Sequence, residues 1–213
     1  MSVRTEAWER ALASNGGWQP EDSPGAGALI EKAEAVQERA PASALELYRD
    51  AAAQGSALAL EALAWHYQTG TGVGADLEAA QDYYRRAIVA GSWPATIGYA
   101  RLLNALGFTE QRDAVLEDGV SAGFVPAHYW LARFRYDGST SPAVVRGVKP
   151  LVEHAAAMGH PGARALLAAL KMRGHYGLRR IPSGLRMAFR IARGAAQADE
   201  DASKQGAGQP ANA

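Results

Sequence analysis

A glycine followed four residues later by an alanine recurs at a near-constant interval along this chain, at Gly55/Ala59, Gly91/Ala95, Gly123/Ala127 and Gly159/Ala163. The glycines are separated by 36, 32 and 36 residues. Self-similarity at that period marks a stack of supersecondary units, each burying its apolar side against its neighbours, and not one closed globule. Aligned on the glycine, position eight is large and apolar (Leu63, Tyr99, Leu131, Leu167) and position nine is alanine (Ala64, Ala100, Ala132, Ala168). Position eleven reads His66, Leu102, Phe134 and Leu170. On a helix, positions four, eight and eleven fall within about 60° of one another and form one buried stripe. The alanines let neighbouring helices approach closely, and the bulky residues fill the groove between them.

The punctuation places the helices. Prolines open segments at Pro41, Pro94, Pro126, Pro142, Pro161 and Pro182, where a missing N–H costs nothing. The repeat glycines sit just past helix ends, where a left-handed cap suits them. Helix pairs are expected at 28–39 and 42–54, 57–69 and 76–90, 93–106 and 110–122, 126–137 and 143–158, and 161–173 and 183–197. No run alternates with period two over a strand's length, so no sheet is expected. Residues 1–27 read as an N-terminal helix over 2–13 followed by a flexible Gly/Pro/Ser linker, and 28–198 as the repeat domain. Residues 199–213, which lack apolar periodicity, read as a disordered tail.

Composition narrows the function. The chain carries 22 basic and 22 acidic residues and no cysteine. Neutral balance argues against a general nucleic-acid binder, and thiolate metal sites, disulfides and a cysteine nucleophile are excluded. No segment approaches the length of an apolar membrane span or a secretory signal. These features, with the alanine- and arginine-rich composition, read as a cytoplasmic protein of a bacterium. The histidines show no ligand spacing, so no metal or other cofactor is expected; His66 falls in the core stripe and reads as a packed residue. The loop Gly70-Thr71-Gly72-Val73-Gly74 follows a helix and not a strand, so it reads as a connector and not a phosphate cradle. No catalytic residue is assigned.

Residues 62–91 (ALAWHYQTGTGVGADLEAAQDYYRRAIVAG) resemble the Sel-1-like repeat, a relative of the tetratricopeptide repeat. The resemblance rests on Tyr67, Gly70, Gly72, Val73, Asp76, Tyr83, Tyr84, Arg85, Arg86, Ala87 and Gly91. The flanking units match more weakly. The resemblance implies an all-α, right-handed α-solenoid of about five helix-turn-helix repeats, a class whose members act as adaptors and scaffolds. It carries over no catalytic residue.

Two candidate surfaces follow. Positions six and ten after each glycine lie opposite the buried stripe, and in an α-solenoid the first helices line the concave face. Glu61, Trp65, Arg101, Tyr129 and Arg133 occupy these positions and are expected to line a groove for a protein or peptide, since Trp, Tyr and Arg are enriched at binding hot spots. The competing reading packs this face on the preceding unit. The second surface is basic. From His154 to Ala198 there is no acidic residue, and Arg179, Arg180, Arg186, Arg190 and Arg193 form an anionic-partner patch for a membrane surface or an acidic protein. The alternative there is a terminal capping helix with a solvated face. Self-association into a homo-oligomer is the alternative for the chain as a whole.

Overall fold

The computed structural model describes residues 21–137, 141–177 and 180–206, with side chains described to residue 194. Among the described residues ten helices follow one another: α1 (Pro24–Val36), α2 (Pro41–Ala53), α3 (Ala57–Thr69), α4 (Leu77–Val89), α5 (Pro94–Ala105), α6 (Thr109–Ser121), α7 (Val125–Tyr136), α8 (Pro142–Ala157), α9 (Pro161–Met172) and α10 (Ile181–Gly206). No strand occurs among the described residues. The fold is the all-α helical repeat expected.

Local chemistry sets the repeat. At the end of α2 the Gly55 amide donates to the Ala52 carbonyl at 3.0 Å and the Ser56 amide to Ala51 at 3.2 Å. The same pair of bonds closes α4 at Gly91 and Ser92, α6 at Gly123 and Phe124, and α8 at Gly159 and His160. Each of the four glycines has a positive φ between 80° and 97°, the left-handed cap that satisfies the last carbonyls of a helix. The residue after the glycine then opens the next helix. Ser56 Oγ accepts from the Ala59 amide at 3.0 Å, and Ser92 Oγ from Ala95 at 3.4 Å. His160 Nδ1 accepts from the Ala163 amide at 3.2 Å. One residue therefore ends a helix and caps the next, which fixes a tight elbow between units.

The chain divides into two compact units, residues 1–131 and 132–213, with the division inside α7. In the first unit, successive helices pack on one another from α1 to α6, and α3 also touches α5. Its core gathers Ala44, Leu45, Tyr48, Ala59 and Leu63 in one cluster and Ala64, Ala80, Tyr84, Ala95, Tyr99 and Leu102 in the next. In the second unit, Ala132, Tyr136, Val145, Val148, Val152, Leu167 and Leu170 form the core. The spacer alanines at positions four and nine are all buried, as are Leu63, Tyr99, Leu131 and Leu167. Phe134 is half-buried, the one member of the stripe that is not fully enclosed.

Boundaries differ from expectation at both ends. The expected linker gives way to α1 at Pro24, because Ser23 caps the helix through the Ala26 amide at 3.2 Å and Pro24 takes its first turn; the Gly25 and Gly27 that read as loop residues are helical. Helix α10, expected to close by residue 198, runs to Gly206. Its last turns lack an apolar stripe but consist largely of good helix formers. The helix expected over 2–13, and residues 207–213 of the tail, lie outside the described residues.

Candidate functional site

The glycine loop is a latch between helices. Gly70 closes α3 with φ 74°, its amide donating to the His66 carbonyl at 2.9 Å. His66 is buried as expected; its Nδ1 lies 2.7 Å from the Thr71 carbonyl oxygen and carries the proton that spans them. Val73 packs on the first core cluster. The Asp76 amide donates to Tyr67 O at 2.9 Å, and the Asp76 carboxylate accepts from the Glu78 and Ala79 amides to open α4. The rings of Tyr67 and Tyr83 stack 5.3 Å apart across the hairpin. The polar groups of Gly70, Thr71 and Asp76 thus have structural tasks, consistent with a connector.

Glu61 and Trp65 sit one turn apart on α3. Glu61 is half-buried as a residue, and the hydroxyl of fully buried Ser92, from the elbow before α5, donates to its carboxylate Oε2 at 3.0 Å. Burial pushes the Glu61 carboxyl above the ordinary carboxylate range, and the Ser92 hydrogen bond offsets part of that rise. Beneath them Tyr84 donates from its hydroxyl to Gln68 Oε1 at 2.9 Å. Its phenol is pushed well up, first by burial and then by the Glu61 charge, with Arg101 acting in the opposite sense. Trp65 is 47% exposed, and its ring meets the edge of His66 at 5.1 Å.

Arg101 on α5 occupies the position that Trp65 holds one repeat earlier. It is exposed, and its guanidinium lies 5.8 Å from the ring of Trp130. Tyr129, expected on the same lining, is only 9% exposed; its ring meets Trp130 edge-on at 5.4 Å. The first unit therefore presents Trp65 and Arg101, with Glu61 recessed between buried partners, and holds Tyr129 below the surface. Arg133 belongs to the second unit, exposed and 4.0 Å from the Asp137 carboxylate.

Sequence reasoning missed Arg112. Buried on α6, it donates from Nη1 to Asn104 Oδ1 at 2.7 Å and from Nε and Nη2 to Asp113 Oδ1 at 2.8 and 2.6 Å. An arginine directly followed by an aspartate in a polar stretch carries no pattern that distinguishes it from a solvated pair. Among the described residues no three His, Cys, Asp or Glu side chains converge to hold a metal ion.

The basic patch is in part where it was expected. Arg180 is exposed just before α10, and Arg186, Arg190 and Arg193 are exposed along it. Arg179 lies outside the described residues. The outer side of α10 is not purely polar as a terminal cap would be: Leu185 is 56% and Phe189 68% exposed. No described helix is long and apolar enough to cross a membrane.

Comparison with known proteins identifies the fold. No family model matches the chain, and no curated protein matches it. Among solved structures it is similar to a Sel1 repeat protein from Oxalobacter formigenes, with a TM-score of 0.62 and 18% identity over 87% of this chain and 84% of the other. It is also similar to c5321, a protective antigen of uropathogenic Escherichia coli strains with an SLR fold, with a TM-score of 0.60 and 17% identity over 86% of this chain. The chain spans 40% of the length of that antigen. The chain has the Sel1-like repeat fold.

Proposed function

We propose that this chain is a non-enzymatic scaffold that binds a protein or peptide through the first-helix face of its first unit, where α3 and α5 carry Glu61, Trp65 and Arg101. The observation that carries the reading is the indole of Trp65, nearly half exposed on an ordered helix beside a carboxylate held in place by Ser92. A large aromatic surface left open on a rigid element, next to fixed polar groups, is the makeup of an interface anchor. The fold supports the reading, since stacked helix pairs build extended binding surfaces. The chemistry of the face is mixed. Glu61 and Trp65 together suit a lysine or arginine side chain, through the carboxylate and the ring face, while Arg101 suits a carboxylate. A partner segment carrying both signs, with an apolar group to cover Trp65, fits this face.

Affinity purification of the tagged chain beside its Trp65→Ala/Arg101→Ala variant tests the proposal. A protein recovered with the parent and lost with the variant supports it. Equal recovery of the same protein with a correctly folded variant rejects it.

A further inference from the structure

Helix α10 has three faces. Its inner face rests on α9 so closely that a Cβ on Gly184 would lie 2.8 Å from the Met172 amide nitrogen and 3.0 Å from the Ala168 carbonyl oxygen. Met187, on the same side, packs against the core of the second unit. Its outer side bears two rows one residue out of step. Leu185, Phe189 and Ala192 form an exposed apolar row; Arg186, Arg190 and Arg193 form an exposed basic row beside it. Each row is spaced by four and then three residues and spans about 60° of the helix surface.

We infer that the outer side of α10 docks an acidic amphipathic helix of a partner protein, with Leu185 and Phe189 entering its apolar seam and the arginine row pairing with its flanking carboxylates. Three observations lead there. The four-then-three spacing is that of a coiled-coil seam, whose knobs fit between the residues of a facing helix. In that register Arg186 and Arg193 each follow a seam residue at a flanking position that chooses a partner by charge, with Arg190 one turn further out on the same side. Their charge is also uncompensated locally: no described ion pair involves Arg186, Arg190 or Arg193, and the sequence from His154 to Ala198 contains no acidic residue. A seam about 60° wide is narrower than the apolar face of at least about 100° by which a helix beds into a broad apolar environment, so a facing helix suits it better than a membrane surface. An antiparallel second copy would set Arg186 and Arg193 against their own counterparts, and a parallel copy would offer them only Ala188 and Ala195 and no carboxylate. This site lies in the second unit and is independent of the Trp65 face.

The probe is a fluorescein-labelled peptide of about three heptads with Leu at the seam and Glu at the flanks, compared with its Lys-flanked counterpart. Carboxylate repulsion keeps the acidic peptide from pairing with itself at neutral pH. The full chain is expected to bind the acidic peptide and not the Lys peptide, more weakly as salt rises. Leu185→Ser/Phe189→Ser is expected to weaken binding at least about tenfold. Arg186→Glu/Arg193→Glu is expected to reverse the preference toward the Lys peptide. Each variant is checked by circular dichroism, and exposure of all four side chains leaves the fold intact. The inference is overturned if the acidic peptide does not bind or if the variants bind it unchanged. It is also overturned if the chain instead binds phosphatidylserine/phosphatidylcholine vesicles, or forms a dimer that the serine variant abolishes.

Discussion

Gly72 lies directly against the backbone of Pro41, where a Cβ on the glycine would meet the proline carbonyl carbon at 2.5 Å and its oxygen at 2.6 Å. The loop between α3 and α4 thus rests on the first turn of α2, and the second glycine of the G-x-G-V motif exists for that approach. Its φ of 77° adds a second reason, since side chains rarely adopt it. Gly72→Ala is expected to lower stability by about 2–4 kcal/mol. Gly74→Ala, with open space around its Cβ position, should be nearly neutral. Urea denaturation of both variants checks this; matching midpoints would show that the contact is not a constraint.

Ser92 does two tasks, capping α5 through the Ala95 amide and donating to Glu61 across two repeats. Ser56 caps α3, and among the described residues no bond to a distant carboxylate accompanies that cap. Ser56→Ala should cost about 1 kcal/mol. Ser92→Ala should cost more, about 1–3 kcal/mol, because the desolvated Glu61 carboxylate loses its donor. The two positions are coupled, so Ser92→Ala should cost less in a Glu61→Gln background, and a double-mutant cycle measures the difference.

The raised pKa of Glu61 has a sign that can be checked. Burial disfavours the charged form, so the folded chain holds this proton more tightly than the unfolded chain does. This carboxyl therefore opposes folding at pH above its raised value, and the penalty fades as pH falls toward the ordinary value near 4.5. Glu61→Gln should be more stable than the parent at neutral pH. The gap should close as the medium is acidified through that window, and thermal denaturation across pH reads it. A gap that widens on acidification would contradict the burial.

The two sides of α10 should respond differently to substitution. Leu185→Ser/Phe189→Ser should leave stability within about 0.5 kcal/mol of the parent, since both side chains face solvent. Met187→Ser, on the side packed against the second-unit core, should destabilise by about 1–3 kcal/mol. If the exposed pair proved the more damaging, the assignment of inner and outer sides would be reversed.

What the sequence made legible was local. Gly55, Gly91, Gly123 and Gly159 could be read as caps because a cap is built within six residues, and Asp76 opens its helix through its own neighbours. The buried stripe was legible because helical period and burial share one arithmetic. The extent of α10 escapes the sequence pattern for the opposite reason: amphipathicity fades after residue 194 while helix propensity does not, and the helix follows propensity to Gly206. Long-range pairings left no trace. Nothing marks Ser92 as the donor to Glu61, thirty-one residues earlier. Nor does helical register alone put Tyr129 below the surface; its neighbour Trp130 meets it there, under the Arg101 guanidinium.

The proposed partner sits on the first helices of the first unit. Hydrogen–deuterium exchange of the chain, alone and saturated with the protein that its Trp65→Ala/Arg101→Ala variant fails to recover, addresses it most directly. Slowed exchange is expected in α3 and α5, over the turns that carry Glu61, Trp65 and Arg101, with α4 and α6 unchanged. Protection confined to α4 and α6, or found only in α10, would contradict it.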